Sequence, residues 1–148
     1  MDTLLHPKQY LSILLALLGG CLLLLAGCSG SQVITGAERD QVLAYAEAKT
    51  DNLLAGFNAN DYAMFSRDFD DQMLKALTAS AFAQTRNQIV PKLGRYVSRQ
   101  VDHVEETGGF IVVFYNAKFE HADGVTVRVV FDTDAKHQIS GLWFNPAS

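Results

Sequence analysis

The chain has 148 residues, a formal net charge of -4, and 19% charged against 49% hydrophobic residues. That acidic balance, with no basic cluster beyond Cys28, argues against nucleic acid as a partner. The two cysteines are Cys21 and Cys28, so the chain after them holds no thiol for a disulfide, a Cys-type zinc site or nucleophilic catalysis.

Leu25-Ala26-Gly27-Cys28 follows a leucine-rich run and has the form of a bacterial lipobox. The thiol of such a site receives a diacylglycerol, the signal is cut just before it, and the new amino end is acylated. Residues 11–25 are apolar apart from Ser12, a run of about fifteen, short of the roughly twenty that span a bilayer and of signal-peptide length. Lys8 and the amino terminus supply the leading positive charge, opposed by Asp2. An uncleaved N-terminal anchor helix is the alternative. Each buried methylene contributes about 0.8 kcal/mol, so three acyl chains hold a protein at a membrane where one does not.

The expected organisation is a signal over 1–27, the lipidated Cys28 with a short tether over 28–36, and one domain over 37–148. Removing the signal leaves about 121 residues, enough for a single core. Ser29 stands where an Asp would resemble an inner-membrane retention signal, so the outer membrane is favoured if the host has one. The expected location is the extracytoplasmic face of the cell envelope, with the lipid bilayer as a partner through Cys28.

Thr35-Gly36-Ala37-Glu38 matches a capping box. Val42, Leu43, Ala46, Thr50, Leu53, Leu54 and Phe57 then recur at helical spacing, and residues 58–61 end that helix. A short helical turn is expected over 62–65. Asp70-Asp71 can begin another, carrying Met73, Leu74 and Leu77 inward. Thr78 caps a third longer helix with Phe82, Ile89, Val90 and Leu93 buried, Pro91 in its last turn and Gly94 as its stop.

Beyond Gly94 the period changes from helical to alternating, which predicts an antiparallel meander over 95–106, 110–122, 124–132 and 137–145. A three-residue loop at Ala122-Asp123-Gly124 opposes Phe119 to Val127, Ala117 to Val129 and Tyr115 to Phe131. Those apolar residues share one face, and Lys118, Glu120, Thr126 and Arg128 share the other, together with Phe110, Val112, Phe114 and Val130. The first hairpin is open between two registers. A three-residue loop over 107–109 places Val97, Arg99, Val101 and His103 beside Tyr115 and Phe119, whereas a two-residue turn sends Asp102 inward and His103 outward.

The expected fold is α+β, with N-terminal helices packed on a curved four-stranded antiparallel sheet. Leu93-Gly94 at the helix-to-sheet junction, residues 125–132 with Asp134 and Lys136, and the closing Ile139-Ser140-Gly141-Leu142-Trp143-Phe144-Asn145-Pro146 carry a resemblance. Over roughly 37–146 the chain resembles the cone-shaped nuclear transport factor 2-like superfamily, in particular its small bacterial and archaeal secreted domains of unassigned function. The resemblance implies a binding module or, alternatively, a small isomerase or hydro-lyase working in the mouth of the cone.

The enzymes of that superfamily need a base and a donor converging in an apolar pocket, for which His103 and Tyr115 are the candidates in the first register. Tyr115, Phe119, Val127 and Phe131 are the pocket candidates. Asp68, Asp70 and Asp71 lack the spacing of a calcium loop and suit a helix start. His121 and His137 are isolated near turns, and Trp143 and Phe144 are expected on the helices, at a subunit contact or against a ligand. No metal and no cofactor is expected. The expected partners beyond the bilayer are a small apolar ligand in the cone, an envelope protein laid against the sheet, and a second copy meeting the outer face of the sheet.

Overall fold

The computed structural model describes residues 30–146. In chain order these form β1 (Gln32–Ile34), α1 (Gly36–Ala59), α2 (Tyr62–Phe65), α3 (Asp71–Ala76), α4 (Ala79–Leu93), β2 (Tyr96–Thr107), β3 (Phe110–Phe119), β4 (Ala122–Phe131) and β5 (Ile139–Asn145). The strands make one antiparallel sheet in sequential order. The class is α+β as expected, but the sheet has five strands rather than four. The additional one comes from the tether, where Gln32, Val33 and Ile34 pair with Glu106, Glu105 and Val104. Three residues are too few to show a period; the unpaired edge of β2 selects them. The expected signal over 1–27 and Cys28 lie outside the described residues, within which no helix is long and apolar enough to cross a membrane.

Helix α1 lays Val42, Ala46, Thr50, Leu53, Leu54 and Phe57 into the core, the stripe that the spacing predicts. Asn60, left-handed at φ 55°, closes it. Its start differs from the capping box, since Thr35 makes no side-chain cap bond. Gly36 at φ 61° turns the chain away from the geometry in which the hydroxyl would reach the next turn. Asp61, Asp70 and Thr78 do cap α2, α3 and α4, accepting from the amides of Met64, Met73 and Ala81. Met73 and Leu77 pack against the core, but Leu74 is 38% exposed. Residues four apart share a helix face and an adjacent residue lies about 100° round it, so α3 cannot turn all three inward. In α4 Phe82 and Leu93 are buried, Ile89 and Val90 pack at the margin, and Gly94 at φ 78° takes the stop.

The first hairpin takes the two-residue turn. Gly108 and Gly109 have φ 59° and 80°, the left-handed pair that a tight hairpin needs, and Thr107 lies opposite Phe110. His103 therefore faces outward, opposite Phe114. Asp102 does not turn inward, because a bulge falls between Val101 and His103. The extra residue stays exposed and the strand before it changes phase, which returns Arg99 and Val101 to the helix side opposite Ala117 and Tyr115.

The second hairpin also departs from its expected partners. Tyr115 pairs with Val127 instead of Phe131, Ala117 with Val125 instead of Val129, and Phe119 with Ala122 instead of Val127. Its turn is Glu120-His121, and Gly124 at φ 73° occupies a bulge. The slip moves Tyr115 from Phe131 to Val127 and Ala117 from Val129 to Val125, an even number of residues, so these side chains keep their face, while the bulge at Gly124 absorbs the odd step that sets Phe119 opposite Ala122. The predicted inner set is right even though its pairings are not.

Candidate functional site

The helix-facing side of the sheet is filled. Tyr115, Phe119, Val127 and Phe131 are 0–1% exposed and belong to the core cluster with α1, so they pack the protein and do not line an open cone. Phe144 closes the same side, 5.5 Å from Phe57 and 6.0 Å from Phe119 between ring centroids. Tyr115 shares a 3.2 Å hydrogen bond with Thr50. Burial, with the charge of Glu47, pushes its phenol well above the ordinary tyrosine range, so it stays protonated.

Above that ring sits Arg99, its guanidinium carbon 4.9 Å from the centroid. Arg99 donates to Asp51 and to Glu47, the latter at 3.2 Å. Burial opposes its charge, but the hydrogen bonds to Asp51 and Tyr96 and the charge of Glu47 outweigh that and raise its pKa. One buried cation on β2 thus meets two carboxylates on α1 and fastens the sheet to the helix. The bulge at Asp102 turns Arg99 inward, and its partners on α1 lie about fifty residues earlier, so only the fold brings them together.

The structure does not join His103 to Tyr115. They occupy opposite faces of the sheet, a consequence of the Gly108-Gly109 turn and the Asp102 bulge. His103 stacks on Phe114 at 4.3 Å, with Nδ1 2.7 Å from Asp102 and Nε2 3.3 Å from Glu105. It is held between two carboxylates against an aromatic ring, away from the proposed donor. Among the described residues no group of three His, Cys, Asp or Glu side chains is placed to hold a metal ion. Asp68 accepts from Asn52 and Asp70 caps α3. His121 is in the exposed turn, but His137 is not solvated as expected. It is half-buried at φ 47° and stacks on Tyr45 at 4.1 Å.

The groove lies on the other face. Phe110, Val112, Arg128, Val130, Ser140 and Trp143, with Thr107, Asp70, Gln72 and Asp132 at its rim, line a depression of about 480 Å³, within the range of small-ligand sites. The two valines are 3% and 8% exposed, while Phe110 and Trp143 are 43% and 44% exposed. The outer face is therefore not four wet side chains in a row, as the alternation suggests, but a covered floor between two aromatic walls. Arg128 lies 4.1 Å over the Trp143 ring. Among the described residues, Arg128 Nε and Ser140 Oγ are buried without a hydrogen-bond partner.

Trp143 owes its position to a missing side chain. A Cβ on Gly141 would lie 2.6 Å from Cη2 of the indole and 3.4 Å from Cβ of Val130, so the ring rests across the glycine beside the groove floor. No periodicity predicts this contact. The pair Gly141 and Trp143, two apart on one strand face, is the signal that could have suggested it.

The molecule is thus a helix-on-sheet domain whose core closes one face and whose groove opens on the other. The chain belongs to the family described as Protein of unknown function (DUF3887), which matches residues 50–142, more than half of its length. No curated protein and no solved structure matches it.

Proposed function

We propose that the protein is a lipid-anchored extracytoplasmic module of the cone-shaped nuclear transport factor 2-like class that binds its partner through the outer face of the sheet. The order of helices followed by an antiparallel meander supports that class. The groove between Phe110 and Trp143 carries the binding reading, because it combines an apolar floor with unpartnered polar atoms. The filled helix side makes the cone itself the poorer candidate, and with it the isomerase or hydro-lyase alternative built on His103 and Tyr115.

The anchor rests on residues 25–28 and the apolar run before them. Cys28→Ser is expected to abolish labelling by radioactive fatty acid and to accumulate an unprocessed precursor. Continued labelling at the mature size rejects the anchor.

The groove is read with an anilinonaphthalene sulfonate dye, whose fluorescence rises in apolar sites. Gly141→Ala obliges the Trp143 ring to swing aside, a movement open to the far end of a side chain, and Gly141 is not left-handed. The variant should keep its melting temperature, shift the emission of the single tryptophan and lose dye enhancement. Unchanged dye binding locates the apolar site elsewhere.

A homodimer across the same face is the second reading, favoured by the exposure of Phe110 and Trp143 together. Light scattering on the chain from Ser29 onward, which carries neither the apolar leader nor the acylated cysteine, should then give twice the monomer mass, reduced to monomer by Phe110→Asp. A monomer at high micromolar concentration removes this reading.

A further inference from the structure

We infer that the outer-face groove takes up an acyl chain of an amine-bearing zwitterionic lipid from the bilayer in which Cys28 is anchored. The inference deepens the reading of an anchored binding module and rests on it. Its first support is the length and direction of the tether. Only four steps separate Cys28 from Gln32, a reach of at most about 14 Å when extended. Ser31 is already held to the sheet by its 2.6 Å hydrogen bond to Glu105.

The pairing then fixes which part of the domain this short tether brings to the membrane. Gln32 lies opposite Glu106, Thr107 opposite Phe110, Ile111 opposite Phe131 and Phe131 opposite Ile139. The tether therefore leaves from the end of the sheet that carries Phe110, Asp132 and Ser140, which line the groove. From Phe110 the groove runs inward along β3 and β4 to Arg128, whose partner is Phe114, roughly 13 Å at the rise of an extended strand. An apolar slot opening at the tethered end suits a chain drawn from a bilayer on that side.

Charge selects the headgroup. Asp70 and Asp132 stand at the rim at the same end, where they oppose an anionic headgroup and attract an ammonium. Burial, a side-chain hydrogen bond to Asp134 and the charges of Asp134 and Asp70 raise the pKa of Asp132, a crowding that a cation would relieve. Ser140 Oγ, buried without a partner at the same end, offers a donor for the ester or phosphate oxygens of the same lipid.

The test uses the full-length, lipidated protein in phosphatidylethanolamine and phosphatidylcholine vesicles whose acyl chains carry bromine, a contact quencher of indole. The chain has one tryptophan, so emission reports on the groove alone. The expected result is a protein that floats with the vesicles and loses most of its Trp143 emission relative to unbrominated lipid, with less loss in brominated phosphatidylglycerol. Phe110→Asp, at an exposed lip position that leaves the core intact, should restore the emission while flotation persists. A floating protein whose emission ignores bromine overturns the inference and leaves the anchor standing. Equal quenching in Phe110→Asp also overturns it, since Trp143 then merely lies on the bilayer surface. A protein that does not float refutes the anchor instead. Dispersed brominated phosphatidylethanolamine added directly then reads the groove by itself, quenching supporting uptake and its absence overturning it.

Discussion

Tyr115→Ala is expected to lower stability by about 3–5 kcal/mol, the range for removing a large buried ring. The side chain is fully buried at the centre of the sheet's inner face, and its loss empties space between Val101, Val127 and α1. Two further losses add to the cavity. Thr50 is itself fully buried and would lose its partner, and Arg99 would lose the ring beneath its guanidinium. Tyr115→Phe separates these effects, because the ring and its contact with Arg99 remain and the phenol bond alone is removed, at a cost of about 0.5–1.5 kcal/mol. Urea denaturation of both variants measures the difference. A midpoint for Tyr115→Ala equal to that of the parent protein would place the side chain at the surface and refute the observed register.

Gly56→Ala should be the second large loss, and its sign is opposite to helix propensity. In an exposed helix interior the change gains roughly 0.5–1 kcal/mol. Here the new Cβ would collide with the amide nitrogen of Phe65 and lie 2.6 Å from its Cα and 2.9 Å from the carbonyl carbon of Met64. These are backbone atoms of α2, so no rotamer change relieves the contact. The two helices must separate, and Phe65 carries with it its ring contacts to Phe69 at 5.2 Å and Phe82 at 4.5 Å. The expected destabilisation is at or above the upper end of the roughly 1–3 kcal/mol typical of overpacking. Thermal unfolding followed by circular dichroism checks it; a raised melting temperature would mean that α1 and α2 do not approach so closely.

The difference between these two positions bears on what could be read in advance. Tyr115 is legible, since it falls on the apolar phase of an alternating strand and an even slip of register leaves that phase intact. Gly56 is not, because a glycine within a helical stripe looks like a tolerated weakness until a second backbone is seen against it. The same holds for Gly141 and Trp143. For the histidines the obstacle is different. One bulge residue, Asp102, decides how the two halves of β2 are phased, and local alternation carries no term for the extra residue.

What the sequence alone determined is the set of local preferences: the buried stripe of α1, the Asp70 and Thr78 helix starts, the alternating strands after Gly94, and the division of β3 and β4 into a core face and an outer face. These depend on spacing within one element and so survive errors of pairing. Tertiary structure alone decided that residues 32–34 become a fifth strand, that Arg99 finds Glu47 and Asp51, that His103 and Tyr115 lie on opposite faces, and that the helix side of the sheet is filled while a groove opens on its outer face. Each depends on contacts between segments distant in the chain, where one bulge or one absent Cβ changes the outcome and no period records it.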